Sequence, residues 1–209
     1  MRKLLLALVL CAPIAFGLET VIEPKERMTK NVLFLLDTSG SMDHGALTKA
    51  VNAVVTIATQ STDDLNVAVI AFDDGCTRWG GLPGTEPDGG PPKGWAAMPS
   101  QDGAKKLTDW LGEIPAGGGT NLHFAMREGL HVKQPRKGAL TVVVVTDDKI
   151  DATQRSAMKS LVEGLQTHRE KEGMGKATLV GYRIGKGDTE SALRIIVEVG
   201  PCGGLFQEE

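Results

Sequence analysis

The chain is poor in aromatic residues, which make up 4% of its 209 residues and include one Tyr. Proteins that read unpaired nucleic-acid bases stack them on aromatic side chains, so such a surface is not expected here. The formal net charge is −3, whereas nucleic-acid-binding domains carry an excess of basic residues. Nucleic acid is therefore not an expected partner.

Common enzyme signatures are also missing. No Gly-x-Ser-x-Gly nucleophile elbow occurs. The His residues form no i, i+4 pair of the kind that holds zinc; they are His44, His123, His131 and His168. His44 lies close in sequence to Ser41, on the loop that follows it. A lone His on a loop is usually a solvated residue. The chain is therefore predicted not to be an enzyme.

The longest apolar run near the N-terminus, Leu4–Leu10, is too short to span a bilayer. It follows two basic residues, and the small residues Ala15 and Gly17 come after it, as in a signal peptide. The sequence thus predicts a signal peptide over residues 1–17, with cleavage after Gly17. The mature protein is expected in the periplasm or secreted, with no stable membrane insertion.

A lipoprotein is the alternative for this segment, with Cys11 as the acylated residue. Leu10 is bulky where lipoprotein signals usually have a small residue. Residues 18–30 are polar and contain Pro24, which predicts an arm before the first strand.

Cys76 and Cys202 would remain in an exported chain, where disulfides are permitted. Cys76 follows the second predicted strand, and Cys202 precedes the last one on the other side of the sheet. Their separation would be on the order of 20 Å, given the spacing of strands. That exceeds the reach of a disulfide, so no intrachain bond between them is predicted.

From residue 31 to 207, short apolar runs alternate with helical patterns, which predicts one α/β domain. The predicted strands are Val32–Leu36, Leu65–Phe72, Leu140–Val145, Ala177–Ile184 and a last one near 203–206. The predicted helices are 46–58, 104–114, 122–130, 154–172 and 189–199. Unbroken apolar strands are typical of parallel sheets that are covered on both faces.

Residues 73–99 interrupt this pattern with clustered Pro and Gly, which predicts a loop insertion. A short edge strand near 77–81 is compatible with the sequence. Trp79 and Trp95 lie within this segment, and we expect them to anchor it to the domain rather than face a partner.

Asn31–Met42 contains the clearest chemical pattern of the chain. A buried strand ends at Asp37, and Ser39 and Ser41 follow at i+2 and i+4. Open α/β sheets bind ligands at the carboxyl ends of their strands. Carboxylate and hydroxyl oxygens are hard ligands, suited to Mg²⁺. The competing interpretation is ordinary loop and helix-cap chemistry.

This Asp-x-Ser-x-Ser pattern after an apolar strand resembles the von Willebrand factor type A domain, where it begins the metal-ion-dependent adhesion site. The resemblance spans about 30–206. It implies two further ligands on later loops: Thr120, in Gly-Gly-Thr-Asn, and Asp147, after the strand Leu140–Val145. It also implies Mg²⁺, or Mn²⁺ or Ca²⁺, as the bound ion.

Two features leave alternatives open. Thr120 or Asn121 can instead cap the following helix, or the Gly-rich turn can hold a phosphate, although no Gly-Lys-Ser/Thr follows it. The family often has Gly directly after the third-loop Asp, where this chain has Asp148. Asp151 is predicted to cap the next helix rather than bind the ion.

The resemblance implies a doubly wound, mostly parallel six-stranded sheet, in the order 3-2-1-4-5-6, with helices on both faces. In that order Asp37 and Asp147 end the two strands that flank the switch point, and the loop of Thr120 lies at the same edge. The three loops are therefore expected to converge there.

The resemblance implies a binding function, in which the bound cation accepts a carboxylate from a protein partner, as in cell adhesion or envelope protein interactions. An assembly or accessory factor of an envelope complex is the first alternative. A Mg²⁺-dependent phosphoryl-transfer enzyme is the second, although aspartyl phosphatases have Asp-x-Asp where this chain has Ser39.

Overall fold

The computed structural model describes the chain over residues 29–43, 45–59, 65–79, 94–98, 100–132, 139–185, 191–199 and 204–208. Several predictions lie outside these residues: the signal peptide, Cys11 acylation, nearly all of the polar arm, His44, Cys202, and positions 80–93 and 99 of the insertion. These remain predictions. Cys76 carries a free thiol.

The central sheet follows the doubly wound order that was expected. Its strands are β1 (Asn31–Asp37), β2 (Leu65–Phe72), β3 (Cys76–Arg78), β4 (Ala96–Met98), β5 (Leu140–Thr146), β6 (Thr178–Ile184) and β7 (Gly204–Glu208). The order is β3-β2-β1-β5-β6-β7, with β4 paired to β2. The pairs among β1, β2, β5, β6 and β7 are parallel, and β3 and β4 are antiparallel to β2. The mostly parallel α/β class is confirmed.

The number of strands differs from the prediction, because the sheet has seven strands within the described ranges rather than six. The additional strand, β4, lies in the segment that was predicted to be a loop insertion. Its three residues pair with Leu65–Val67 at the start of β2, while β3 pairs with the end of β2. A tripeptide of Ala, Ala and Met has no strand pattern of its own, so the open edge of β2 determines its structure.

Helices cover both faces of the sheet. They are α1 (Ala46–Thr59), α2 (Gln101–Gly112), α3 (Leu122–Leu130), α4 (Ala152–Lys171) and α5 (Ala192–Val199). Helices α1 and α2 pack with Val32, Phe34 and Leu36 on one face, while α3, α4 and α5 pack with Leu33 and Leu35 on the other. The alternation along β1 thus divides the core into two layers. None of the described helices has the length and apolar character needed to cross a membrane.

Two local predictions about the insertion and the helix termini can be tested. Trp79 and Trp95 are 4% and 3% exposed, so they anchor the insertion to the domain, as expected. Helix α2 begins at Gln101, three residues earlier than predicted, because Ser100 Oγ accepts a hydrogen bond from the amide of Gly103. The prediction followed the apolar spacing, which starts only further along the helix.

Candidate metal centre

Asp37 lies at the end of β1, and its carboxylate is fully buried. Oδ1 accepts a hydrogen bond from the amide of Ser39 at 2.8 Å, and Oδ2 accepts one from the hydroxyl of Thr146. Burial raises the pKa of this carboxyl; the donors from Thr146 and Ser39 oppose the rise, and the charge of nearby Asp147 adds to it. The carboxylate is therefore held in one orientation beside a second acidic group.

Hydroxyl groups connect the loop after β1 to the loop after β5. Ser41 lies in a 3₁₀ turn, Gly40–Met42, that directly follows Ser39. The Oγ atoms of Ser39 and Ser41 are 3.1 Å apart, within hydrogen-bond distance. Ser41 Oγ also donates a hydrogen bond to Oδ1 of Asp147 at 3.2 Å. Four of the five predicted ligands thus form one hydrogen-bonded group: Asp37, Ser39, Ser41 and Asp147. Asp37 joins this group through the amide of Ser39.

Asp147 follows β5 and is 6% exposed. Besides the Ser41 contact, its Oδ1 accepts a hydrogen bond from the amide of Lys149 at 3.3 Å. Its Oδ2 lies 2.8 Å from Nζ of Lys149 and forms an ion pair with it. Among the described residues, none donates a hydrogen bond to this oxygen.

Thr120 lies on the loop before α3, which packs against the loop after β1. The amide of Gly117 donates to the carbonyl of Thr38 at 2.8 Å, and the amide of Gly40 donates to that of Gly118 at 3.0 Å. The described hydrogen bonds of Thr120 involve its carbonyl, which accepts from Gln154 Nε2 at 2.8 Å. The structure therefore brings the Thr120 loop to the site without joining its hydroxyl to the other four side chains.

The glycines of the Thr120 loop permit its close approach to the loop after β2. Gly118 has φ of +70°, and a Cβ there would lie 2.9 Å from Oδ2 of Asp74. At Gly119, an added Cβ would lie 2.5 Å from Oδ1 of the same Asp74. Asn121 caps α3 by accepting a hydrogen bond from the amide of Phe124, so this capping role belongs to Asn121 rather than Thr120.

Asp148 has a role that the sequence analysis left open. Its φ is 62°, the only positive value at a non-Gly residue in the described part of the chain. Its Oδ1 accepts hydrogen bonds from the amides of Ala192 and Leu193 at the start of α5, at 3.1 and 3.3 Å. The positive φ explains why Gly suits this position in the family. The two hydrogen bonds to the start of α5 explain why this chain has Asp there.

The carboxylate of Asp148 is also paired and buried. Its Oδ2 lies 3.6 Å from a guanidinium nitrogen of Arg183, and its side chain is 2% exposed. Burial raises the pKa of this carboxyl, while hydrogen bonds from Ser191 and the start of α5 and the charge of Arg183 oppose the rise. Asp148 is thus directed toward α5 and not toward the candidate ligands.

Thr146 ends β5, and Asp151 directly precedes α4. Thr146 was not predicted as a site residue; its position directly before Asp147 was the one feature of the sequence that could have pointed to it. Asp151 accepts a hydrogen bond from the amide of Gln154 at the start of α4, which confirms the predicted cap. Asp151 therefore stays outside the candidate site.

The donor set fits a hard divalent cation. It has two carboxylates and three hydroxyls, all oxygen donors, and Asp147 Oδ2 is buried without a hydrogen bond. Within the described residues, no three His, Cys, Asp or Glu side chains cluster as a metal site.

A cleft of about 400 Å³ opens beside Ser41 and Asp147. Five of its nine lining residues are polar or charged, with two aspartates and two lysines among them; the lining comprises Ser41, Asp43, Gly45, Ala46, Lys49, Asp147, Lys149, Ile184 and Gly185. Small-molecule substrate pockets are usually lined by apolar and aromatic side chains, so these four charged side chains favour a charged partner group.

The family profile of the von Willebrand factor type A domain matches residues 32–149, more than half of the chain. The chain belongs to the von Willebrand factor type A domain family. The match includes β1, β5 and all five predicted ligands. Domains of this family commonly mediate protein–protein interactions, and many bind a divalent cation at the corresponding loops.

Solved structures support the same fold. A von Willebrand factor type A protein from Catenulispora acidiphila is 18% identical, with a TM-score of 0.58 over 86% of this chain and 38% of that one. The ArnB paralog VWA2 from Sulfolobus acidocaldarius is 15% identical, with a TM-score of 0.54 over 85% of this chain and 40% of that one.

An aerotolerance-related membrane protein from Bacteroides fragilis, solved with multiple mutations to serines, is 16% identical, with a TM-score of 0.56 over 87% of this chain and 92% of that one. This chain therefore spans well under half of the first and second of these relatives, and nearly all of the third. No curated protein sequence matches it.

Proposed function

We propose that this von Willebrand factor type A domain binds a divalent cation, Mg²⁺ in the first instance, through Asp37, Ser39, Ser41, Thr120 and Asp147. The bound cation would supply a coordination position for a carboxylate of a protein partner. The observation that carries this proposal is the hydrogen-bonded group Ser39–Ser41–Asp147, which joins the loops after β1 and β5.

The chain's own residues set up this site. The amide of Ser39 and the hydroxyl of Thr146 orient Asp37, so its carboxylate keeps its position without the cation. Ser41 is partly exposed, so the group opens to solvent on the side of the cleft. A side chain of a partner protein can approach from that side.

We further propose that the protein is exported and acts outside the cytoplasm, through an adhesive contact or as an assembly factor that docks on another envelope protein. The signal-like N-terminus supports export. Both roles would use the same cation-dependent face, and the polar cleft beside it fits contact with a protein rather than turnover of a small apolar substrate.

The proposal is tested by capture of envelope proteins on the immobilised full chain, in Mg²⁺ and then in EDTA. We expect at least one protein to be retained in Mg²⁺, released by EDTA and not retained by Ser41→Ala. Ser156→Ala is the matched control, because Ser156 is exposed on α4 and its hydroxyl donates only to the carbonyl of Thr153 in the described contacts. Retention that is the same in EDTA and in Ser41→Ala would contradict cation-dependent docking.

A further inference from the structure

Lys149 contacts both carboxylate oxygens of Asp147. Its ammonium lies 2.8 Å from Oδ2, and its amide donates to Oδ1 at 3.3 Å. The two side chains differ greatly in burial: 66% of the Lys149 side chain is exposed, against 6% for Asp147. A largely exposed ammonium is therefore paired with a buried carboxylate.

Asp147 requires a positive partner where it lies. A buried carboxylate without a counter-ion is strongly unfavourable, and a second buried carboxylate, Asp37, ends the neighbouring strand. Ser41 supplies a neutral hydroxyl to Oδ1. The ammonium of Lys149 is the cation that the structure places against Oδ2, the atom without a hydrogen bond.

We propose that Lys149 is a tethered counter-ion that competes with the divalent cation for Asp147 and so sets the affinity of the site. The proposal rests on the proposed function, since it assigns Asp147 to the cation. Binding of the cation then displaces the ammonium from Oδ2 into the adjoining cleft, while the Lys149 amide can keep its bond to Oδ1.

The chemistry of lysine suits this exchange. Its ammonium is a compact, strongly hydrated charge on a flexible stem, and it is mostly exposed already, so leaving Oδ2 requires little desolvation or repacking. Ion pairs between two exposed side chains contribute little free energy. Here one partner is buried, so the ammonium at Oδ2 should weaken the binding of a divalent cation to that oxygen.

The test is the affinity for Mn²⁺, measured through the electron paramagnetic resonance signal of free Mn²⁺, for the full chain and five variants, Ser41→Ala among them. We expect Lys149→Gln to bind about tenfold more tightly, because one unit charge is removed from within a few ångströms of the ion. Lys149→Arg should stay close to the wild type, since it keeps the charge. Lys105→Gln, which breaks an exposed pair with Asp109 on α2, should have no effect.

Lys49→Gln removes a second positive charge from the same cleft. It therefore separates the effect of any nearby positive charge on Mn²⁺ affinity from direct competition for Asp147. We expect its effect to be clearly smaller than that of Lys149→Gln. An equal effect, or unchanged or weaker Mn²⁺ binding in Lys149→Gln, would overturn the proposal. A second readout is thermal unfolding: without cation, Lys149→Gln should melt below the wild type, and saturating Mn²⁺ should close that gap.

The outcomes also distinguish this inference from the proposed function. If the wild type binds Mn²⁺, Ser41→Ala does not, and Lys149→Gln matches the wild type, only the role of Lys149 is wrong. If Lys149→Gln binds and the wild type does not, the competition is confirmed in its strongest form. If neither binds, the metal site itself is wrong and the role of Lys149 with it.

Discussion

The hydroxyl of Thr146 donates a hydrogen bond to Oδ2 of Asp37, and this bond joins the ends of the two central strands, β1 and β5. Oγ1 of Thr146 also accepts a hydrogen bond from the amide of Asp148 at 3.0 Å. One threonine thus orients a candidate ligand on one strand and the backbone of the loop that follows the other. It acts on the site as a positioning residue.

Replacing Thr146 by Val keeps the shape of the side chain but removes both hydrogen bonds. We expect a loss of about 2–3 kcal/mol in the free energy of unfolding, because a buried carboxylate loses a donor and a backbone amide loses its acceptor. Urea denaturation measures the loss. Thr146→Ser keeps the hydroxyl and should lose less than about 1 kcal/mol, the value of a small core truncation. Equal stability of the Val and Ser variants would contradict this role.

Asp148 combines a positive φ with a cap on α5, so its substitutions should follow a specific order of stability: Asp, then Asn, then Gly, then Ala. Asn keeps an acceptor and tolerates this φ, and should lose about 1–2 kcal/mol. Ala loses the cap, leaves Arg183 without this carboxylate and is strained at φ of 62°, so we expect a loss of about 3–4 kcal/mol. Gly removes the strain and should recover about 1 kcal/mol of that loss.

Chemical denaturation of the four proteins at one pH measures this series. The difference in stability between the Gly and Ala variants measures the cost of the positive φ, because neither residue can cap α5. Ala as stable as Gly would mean that the positive φ at 148 does not determine the residue there.

Gly129 and Gly164 form a matched pair on helices of the same face. A Cβ at Gly129 would lie 3.0 Å from one methyl of Leu35 and 3.2 Å from one of Leu33, both fully buried on β1. We therefore expect Gly129→Ala to destabilise the fold by about 1–3 kcal/mol through overpacking. At Gly164, within α4, a Cβ would meet nothing within 4 Å, so Gly164→Ala should stabilise by about 0.5–1 kcal/mol.

Thermal or urea unfolding of the two variants tests both the expected loss of stability in Gly129→Ala and the expected gain in Gly164→Ala. A stabilising Gly129→Ala would show that α3 can move away from β1 without cost. That result would also mean that the Thr120 loop, which leads into α3, is not fixed by this contact.

The parts of the fold that were predictable depend on local patterns. The unbroken apolar runs of β1, β2 and β5 identify buried parallel strands, and the residues at their carboxyl ends then converge by a general rule of open α/β sheets. Asp37, Ser39 and Ser41 could be proposed as ligands from their short spacing, whereas Thr120 and Asp147 were proposed from the family resemblance, and all five assignments stay predictions.

The features that were missed depend on distant partners. Strand β4 forms because it meets the edge of β2, which three residues of its own sequence cannot indicate. The role of Asp148 depends on the amides of α5, more than forty residues further along the chain. That of Thr146 depends on a carboxylate more than a hundred residues earlier. No local periodicity contains such information.

The most direct test of the central claim is a calorimetric titration of the full chain with Mg²⁺, alongside Ser41→Ala, Asp37→Asn and the control Ser156→Ala. We predict saturable binding at one site in the wild type and in Ser156→Ala, and affinity weaker by at least about tenfold in the other two, since each loses one ion-binding oxygen or its charge. Wild-type affinity in both Ser41→Ala and Asp37→Asn would contradict the assignment of these loops as a metal centre.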